Sequence, residues 1–360
     1  MTRPIALCYG TRPQVIKASV LRRALPLAGP VVAVDTGQHY DYELNQLLYE
    51  QLGVAAPDRS LEVGSGPHGE QTAAILLRAE ALFREIDPGI AIVIGDTNST
   101  LGCALAAAKM RIPVVHVEAG LRARDALMAE EINRRAVDAV ASLLCTPSAA
   151  ATVRMRAEHA DAVIVETGDV ARDVLAGQLG ALPDVSHLAP RGARYAFATL
   201  HRAELTAEPE RLVAVLRALA GLPLPVLLAM HPRTRAALEA SGHAVADAGA
   251  LRIVPAVGYR ESIALTEGAS VVITDSGGVQ REAYWLGVPC LTLRQETEWT
   301  ETVDAGANRL LPAADVAGLA DAVDERLARP RTWDRDAYGR GDAAERIAAA
   351  VGDWIRRGAA

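Results

Sequence analysis

Asp275-Ser276-Gly277-Gly278 is the densest piece of chemistry in the chain. It follows the apolar run Val271–Thr274 and opens a helix-period segment that carries Glu282. Two adjacent glycines let the backbone approach a ligand, Ser276 adds a hydroxyl, and the amides of a helix's first turn favour an anion. A cap alone would not need both glycines. Glu282 stands one turn further in, where a carboxylate can accept hydrogen bonds from sugar hydroxyls just beyond a phosphate. The spacing points to a nucleotide phosphate. Tyr9-Gly10-Thr11-Arg12-Pro13-Gln14-Val15-Ile16-Lys17 offers a second anion site. Gly10 ends an apolar strand, Thr11 and Gln14 form a capping box with Pro13 in the first turn, and Arg12 and Lys17 add charge at the positive helix end. A capped helix with two surface cations is the alternative here.

Two further strand ends carry carboxylates, in Ile94-Gly95-Asp96 and His116-Val117-Glu118. Asp96 could simply cap the next helix. Glu118, read as lying inside an apolar strand, is costly unless paired or used. Glu130 and Glu131 start a helix, where carboxylates suit the macrodipole; one of them is placed to reach a site, a solvated first turn being the alternative. In the second half, His201-Arg202 and His231-Pro232-Arg233 close consecutive strands, and each histidine is a ligand candidate weighed against a satisfied loop residue. Gly64-Ser65-Gly66-Pro67-His68-Gly69 spells G-x-G-x-x-G, but the preceding Ser60–Val63 is short and contains Glu62, so it reads as a loop and not as a dinucleotide site.

These residues need a scaffold that brings strand ends together. Short Val/Ile/Leu/Ala runs recur at Ile5–Tyr9, Val31–Thr36, Ile90–Ile94, Val114–Val117, Leu143–Thr146 and Val163–Thr167. Helix-period segments lie between them at Val15–Leu25, Tyr42–Leu52, Gly69–Ile86, Thr100–Met110 and Glu130–Ala141. Strands without polar alternation are buried on both faces, the mark of a parallel sheet covered by helices. A second series follows at Tyr195–Leu200, Val226–Met230, Arg252–Val254, Val271–Thr274 and Cys290–Leu293. The expected class is α/β: two doubly wound, Rossmann-like domains facing across a cleft, with ligand at the carboxyl ends of the strands. Residues 1–169 form the first domain and 170–342 the second, with a hinge near Thr167-Gly168-Asp169. A C-terminal helix within 343–360 crosses back onto the first domain.

Composition bounds the partners. With 360 residues, a net charge of −7, half the residues hydrophobic and 22% charged, the chain can build large cores and lacks the basic surface of a nucleic-acid or anionic-membrane binder. Of 37 cationic side chains, all but Lys17 and Lys109 are arginine, so a retained lysine in the first motif stands out. No signal peptide or membrane span is read from the sequence, and Cys8, Cys103, Cys145 and Cys290 stand apart as buried thiols with no zinc-ligand spacing. A cytoplasmic protein without metal is expected.

Taken in order, Gly10–Lys17, Gly95–Thr100, His116–Arg122, Glu130–Arg134, Leu200–Glu204 and Thr274–Glu282 closely resemble the motifs of non-hydrolysing UDP-N-acetylglucosamine 2-epimerases over nearly the whole chain. The resemblance implies a glycosyltransferase-B-type fold, UDP held mainly by the second domain, interconversion of UDP-GlcNAc and UDP-ManNAc, no cofactor, and a homodimer. Carried over, Arg12, His201, Ser276 and the amides of Gly277 and Gly278 would hold the diphosphate, with Arg202 and His231 beside them, and Glu282 the ribose. Lys17, Asp96, Glu118 and Glu130 would line the sugar site as the acid/base set, with His201 counted among the catalytic residues. Three departures stand out: Gln14 replaces a common glutamate, Arg124–Ala129 is short, and Trp299 stands where many members carry arginine. Together with Gly64–Thr72, Gly258-Tyr259 and Glu282-Ala283-Tyr284, these resemble the branch acting on UDP-2,3-diacetamido-2,3-dideoxy-glucuronate. A hydrolysing epimerase, a UDP-sugar glycosyltransferase and a non-catalytic nucleotide-sugar binder are the rival classes.

Overall fold

The computed structural model describes residues 3–38, 54–189, 192–243 and 245–358. The helix expected over 42–52 lies outside them. The chain divides into two compact units, Met1–Gly177 with Ala337–Ala360, and Gln178–Asp336.

In the first unit the strands β1 (Ile5–Tyr9), β2 (Val31–Asp35), β3 (Arg59–Ser60), β4 (Ile90–Ile94), β5 (Val114–Val117), β6 (Leu143–Thr146) and β7 (Val163–Glu166) form one sheet in the order β3-β2-β1-β4-β5-β6-β7. Every pairing is parallel. Helices α1 (Arg12–Ala24), α2 (His68–Ile86), α3 (Asn98–Lys109), α4 (Ala129–Val140), α5 (Ala149–Glu158) and α6 (Val170–Leu179) alternate with the strands. Apolar residues of β1, β4 and β5 meet Ile75, Leu82 and Phe83 of α2 and the alanines of α3 in one core. The central strands β1, β4, β5 and β6 are buried throughout, as their largely apolar sequences lead one to expect. The expectation of burial fails at β7, whose terminal residues Val163 and Glu166 are exposed: it is the edge strand and has a neighbour on one side only. The C-terminal helix (Ala343–Gly358) belongs to this unit. Asp173 accepts hydrogen bonds from its first amides, Ala343 N at 3.1 Å and Ala344 N at 2.7 Å, filling the role of a helix cap.

The second unit repeats the plan with β8 (Ala196–Leu200), β9 (Val226–Met230), β10 (Leu251–Val254), β11 (Val271–Thr274), β12 (Cys290–Thr292) and β13 (Asn308–Leu310), in the order β10-β9-β8-β11-β12-β13. Its helices are α7 (Ala203–Thr206), α8 (Pro209–Ala220), α9 (Pro232–Ala240), α10 (Tyr259–Gly268), α11 (Gly277–Leu286), α12 (Thr300–Asp304) and α13 (Leu319–Ala328). The short, polar β13 is a strand that apolar patterning did not reveal.

Both sheets therefore reverse their winding once: between β1 and β4 in the first unit, and between β8 and β11 in the second. At such a switch the loops leaving neighbouring strands part toward opposite faces and open a crevice at the carboxyl ends, the place where doubly wound sheets bind ligands. The motifs Gly10–Lys17 and Gly95–Thr100 flank the first switch, and Leu200–Glu204 and Thr274–Glu282 the second.

Candidate active site

At the first switch, Lys17, one and a half turns into α1, reaches Glu118: Nζ lies 2.6 Å from Oε1, with both side chains almost wholly enclosed. Glu118 is not inside the strand as expected. It is the first residue after β5, in the left-handed region at φ +70°, a conformation that costs a non-glycine residue of order 1 kcal/mol or more and clusters at functional sites. Gly95, at φ +67°, is close enough that an added Cβ would meet Glu118 Oε2 at 3.6 Å. Asp96 is half-buried and paired with Arg134 of α4, whose other arm binds the fully buried Glu131. Glu131 also accepts from Ala123 N at 2.9 Å and Arg135 Nε at 2.8 Å. Of the two helix-start glutamates, then, Glu131 is the enclosed organiser and Glu130 is exposed on the first turn. Arg12 is likewise exposed, at the first position of α1.

Beneath this layer lies a second. His116 Nδ1 is 2.6 Å from Asp138 Oδ1 and its Nε2 is 2.7 Å from Gly95 O, so both ring nitrogens face acceptors. Burial pushes the Asp138 carboxyl up, but His116 and Arg122 outweigh it and leave the group below its ordinary value. This triad fixes the peptide that precedes Asp96. Asn133 donates to Asp96 O at 2.9 Å and to Asn98 Oδ1 at 3.2 Å, while Asn98 Nδ2 donates to Gln71 at 2.8 Å and to His68 Nδ1 at 3.1 Å. His68 is thereby linked to the site's edge while remaining exposed; it is the first residue of α2 and not the loop residue expected from the sequence. Gln14 ties the two sides of the switch together. Its Oε1 accepts from Gly10 N (2.9 Å) and Thr11 N (3.2 Å), and its Nε2 donates to Ile94 O (2.6 Å), Thr97 Oγ1 (2.9 Å) and Thr100 Oγ1 (3.0 Å).

At the second switch, Ser276 caps α11, its Oγ accepting from Val279 N at 3.4 Å. Gly277 and Gly278 are the first residues of that helix, and a Cβ on Gly278 would meet only Ser276 Oγ, at 3.8 Å. The glycine is thus not required by the packing of the chain itself, and the space beside it suits a ligand. Glu282 is buried, and burial pushes its carboxyl up to about 7 against the opposing pull of Arg281 and a hydrogen bond from Tyr259. Arg281 stacks on Trp299, its guanidinium carbon 3.8 Å from the ring centroid, a cation–π contact at the position where the sequence departs from arginine. His201 and His231 stand with ring centroids 5.2 Å apart. His231 caps α9 by accepting from Arg233 N at 3.1 Å. Arg202 lies beside Glu204, Nε to Oε2 at 3.7 Å.

The two clusters differ chemically. The first places acids and bases in contact, as proton transfer requires; the second places helix amides, a hydroxyl and cations where an anion can be held. Sequence reasoning missed Asp138 and Arg134 as the side chains that hold these groups. The signal was available in the spacing Glu131–Arg134–Asp138, three and then four residues apart and so on one helix face.

The profile of the family described as UDP-N-acetylglucosamine 2-epimerase matches residues 29–352. A UDP-2,3-diacetamido-2,3-dideoxy-D-glucuronate 2-epimerase from Pseudomonas aeruginosa is 39% identical over 96% of this chain and 98% of its own. The crystal structure of the Methanocaldococcus jannaschii UDP-GlcNAc 2-epimerase in complex with UDP-GlcNAc and UDP is 34% identical, with a TM-score of 0.86 over 98% of this chain and 99% of that one. That of the Neisseria meningitidis enzyme bound to UDP-GlcNAc is 25% identical, with a TM-score of 0.83 over 97% and 99%. The expected glycosyltransferase-B-type α/β fold is the one these enzymes share, and among the described residues no helix is long and apolar enough to cross a membrane. With this breadth of likeness in sequence and fold, the chain belongs to the UDP-N-acetylglucosamine 2-epimerase family, isomerases of UDP-sugars.

Proposed function

We propose that this chain is a non-hydrolysing 2-epimerase of a UDP-2-acetamido sugar, interconverting the gluco and manno forms as in UDP-GlcNAc and UDP-ManNAc. The observation that carries the reading is the Lys17–Glu118 pair at the first switch, with Asp96 held by Arg134 nearby. C2 of such a sugar has no adjacent carbonyl, so its proton cannot be removed to an enolate. Elimination resolves this: a carboxylate takes the C2 proton as the C1–O bond breaks and UDP departs, leaving a 2-acetamidoglucal. A proton then returns to the opposite face of C2 while UDP adds back to C1. Two faces call for two proton-handling groups, drawn from Asp96, Glu118 and Glu130, with Lys17 paired to Glu118. Ser276, the Gly277 and Gly278 amides, Arg12, His201, Arg202 and His231 stabilise the departing diphosphate, and Glu282 accepts from the ribose hydroxyls.

A second reading, in which the sugar is 2,3-diacetamido-2,3-dideoxy-glucuronate, is favoured by the Pseudomonas relative, which exceeds the Methanocaldococcus enzyme in identity, and by Trp299. Incubation of each UDP-sugar in D₂O followed by product NMR tests both. The expected product is the 2-epimer with deuterium at C2 and no acceptor required. Release of free sugar and UDP would identify a hydrolase, and unexchanged hydrogen at C2 would remove the elimination path.

A further inference from the structure

Asp275 is the most enclosed charged group at the second switch, with 1% of its surface exposed, and it is absent from the ligand-contacting set proposed above. Its own amide donates to Thr199 O at 3.3 Å, and its carboxylate accepts from His201 N (2.9 and 3.1 Å to the two oxygens) and Arg202 N (2.9 Å). Oδ1 also lies 3.6 Å from His201 Nδ1. These bonds begin where the ladder between β8 and β11 stops. That ladder ends with Thr199 opposite Thr274, whose hydroxyls touch at 2.6 Å. Past that point the two chains part, and the amides of His201 and Arg202 have no strand to donate to. From the other side, Thr234 Oγ1 donates to Leu200 O.

A buried carboxylate is costly unless hydrogen-bonded, and a negative charge beside an anion site weakens that site. A residue serving the fold alone would be better neutral. Here the carboxylate is saturated by backbone donors from two residues whose side chains belong to the proposed phosphate set, with Nδ1 of one of them 3.6 Å away. We propose that Asp275 is a positioning residue: it clasps the His201–Arg202 backbone across the switch, so that both side chains are set for a diphosphate before the ligand arrives. The proposal rests on the UDP reading given above. The chemistry recognised is the diphosphate and not the nucleoside, since the clasped residues belong to the phosphate set and Glu282 lies a turn further along α11.

The test compares UDP with uridine by calorimetry and competition NMR, for the wild-type protein and for Asp275→Asn. Asparagine keeps the shape but turns an N–H donor toward an amide. The expected result is a loss of roughly ten- to hundredfold in UDP affinity, the worth of a charge-assisted hydrogen bond, with uridine affinity unchanged. In a His201→Ala/Arg202→Ala background the same substitution should cost no further UDP affinity, because the residues it acts through are gone. Equal losses for UDP and uridine, or a full loss in the double-alanine background, would reduce Asp275 to a structural role. Hydrogen exchange of the wild-type protein gives a reading that needs no variant: the His201 and Arg202 amides should be protected without ligand, and rapid exchange there would overturn the clasp. Wild-type protein that does not bind UDP would instead remove the nucleotide reading, whereas wild-type binding with an unimpaired Asp275→Asn variant would remove the clasp alone.

Discussion

The two switch points solve one geometric problem with different side chains. In each unit neighbouring parallel strands part at the crevice, and one buried polar group bridges the gap: Gln14 between the β1 and β4 ends, Asp275 between the β11 and β8 ends. The difference lies in what each must satisfy. Gln14 meets amides on one side and a carbonyl with two hydroxyls on the other, so it needs both an acceptor and a donor. Asp275 meets only amides, so a pure acceptor suffices. The surroundings diverge in the same sense. The first switch holds ion pairs of both signs, Lys17–Glu118 and Arg134–Asp96. The second holds helix amides, His201, His231 and Arg202, with Asp275 saturated and Glu282 buried. On the proposed reading, one crevice moves protons and the other holds charge.

The sharpest way to break this comparison is Glu118→Gln. It removes a proposed proton-handling group and leaves Lys17 a neutral partner, so turnover should fall on the order of 10²- to 10⁴-fold, while calorimetry finds UDP bound as before. A variant that loses UDP affinity and turnover in proportion would place Glu118 on the binding side and erase the division of labour.

Gly278→Val is the counterpart. Because a Cβ there meets only Ser276 Oγ at 3.8 Å, the variant should fold with little change in melting temperature. Its side chain would instead occupy ligand space, weakening UDP by about ten- to hundredfold. Undiminished UDP affinity in the folded variant would take the phosphate away from the start of α11.

How much of this was legible in the sequence follows from what each feature depends on. Buried central strands announce themselves as short, largely apolar runs, so β1, β4, β5, β8, β9 and β11, and with them both motif-bearing switches, could be read directly. The edge elements could not: Arg59–Ser60 and Asn308–Leu310 are short and polar, and β7 is apolar in sequence yet exposed at its ends. A strand's place at the edge is a property of the sheet order and not of the strand. The residue types at the site were visible as carboxylates, histidines and glycines at strand ends, but their backbone state was not. Glu118 looks like a strand residue, and only the structure shows its left-handed turn. Gln14 was recognisable as a capping-box partner of Thr11, whereas its bonds to Ile94, Thr97 and Thr100 join residues about eighty positions away, a relation fixed by the adjacency of β1 and β4.

The smallest expected effect concerns Glu282 and uses its raised carboxyl. Burial pushes this group up to about 7, so in the ligand-free protein near neutrality a large fraction is protonated. A ribose diol offers two O–H donors, which an ionised carboxylate accepts best, and ligand binding should therefore release a proton whenever the pH lies below about 7. The sign follows: affinity for UDP-GlcNAc rises with pH through the neutral range and flattens above it. For a group titrating near 7, the ionised fraction grows roughly tenfold between pH 6 and pH 8, and the association constant should follow it. A UDP-sugar is the right probe because its pyrophosphate diester does not titrate in this window, whereas the terminal phosphate of UDP does. Calorimetry in buffers of different ionisation enthalpy should detect the proton released at pH 6. In Glu282→Gln the slope should vanish while Gly278→Val, which acts on the phosphates, retains it at lower overall affinity. A pH-independent association constant in the wild-type protein would mean that Glu282 does not face the ribose, and would leave the second switch as a phosphate site alone.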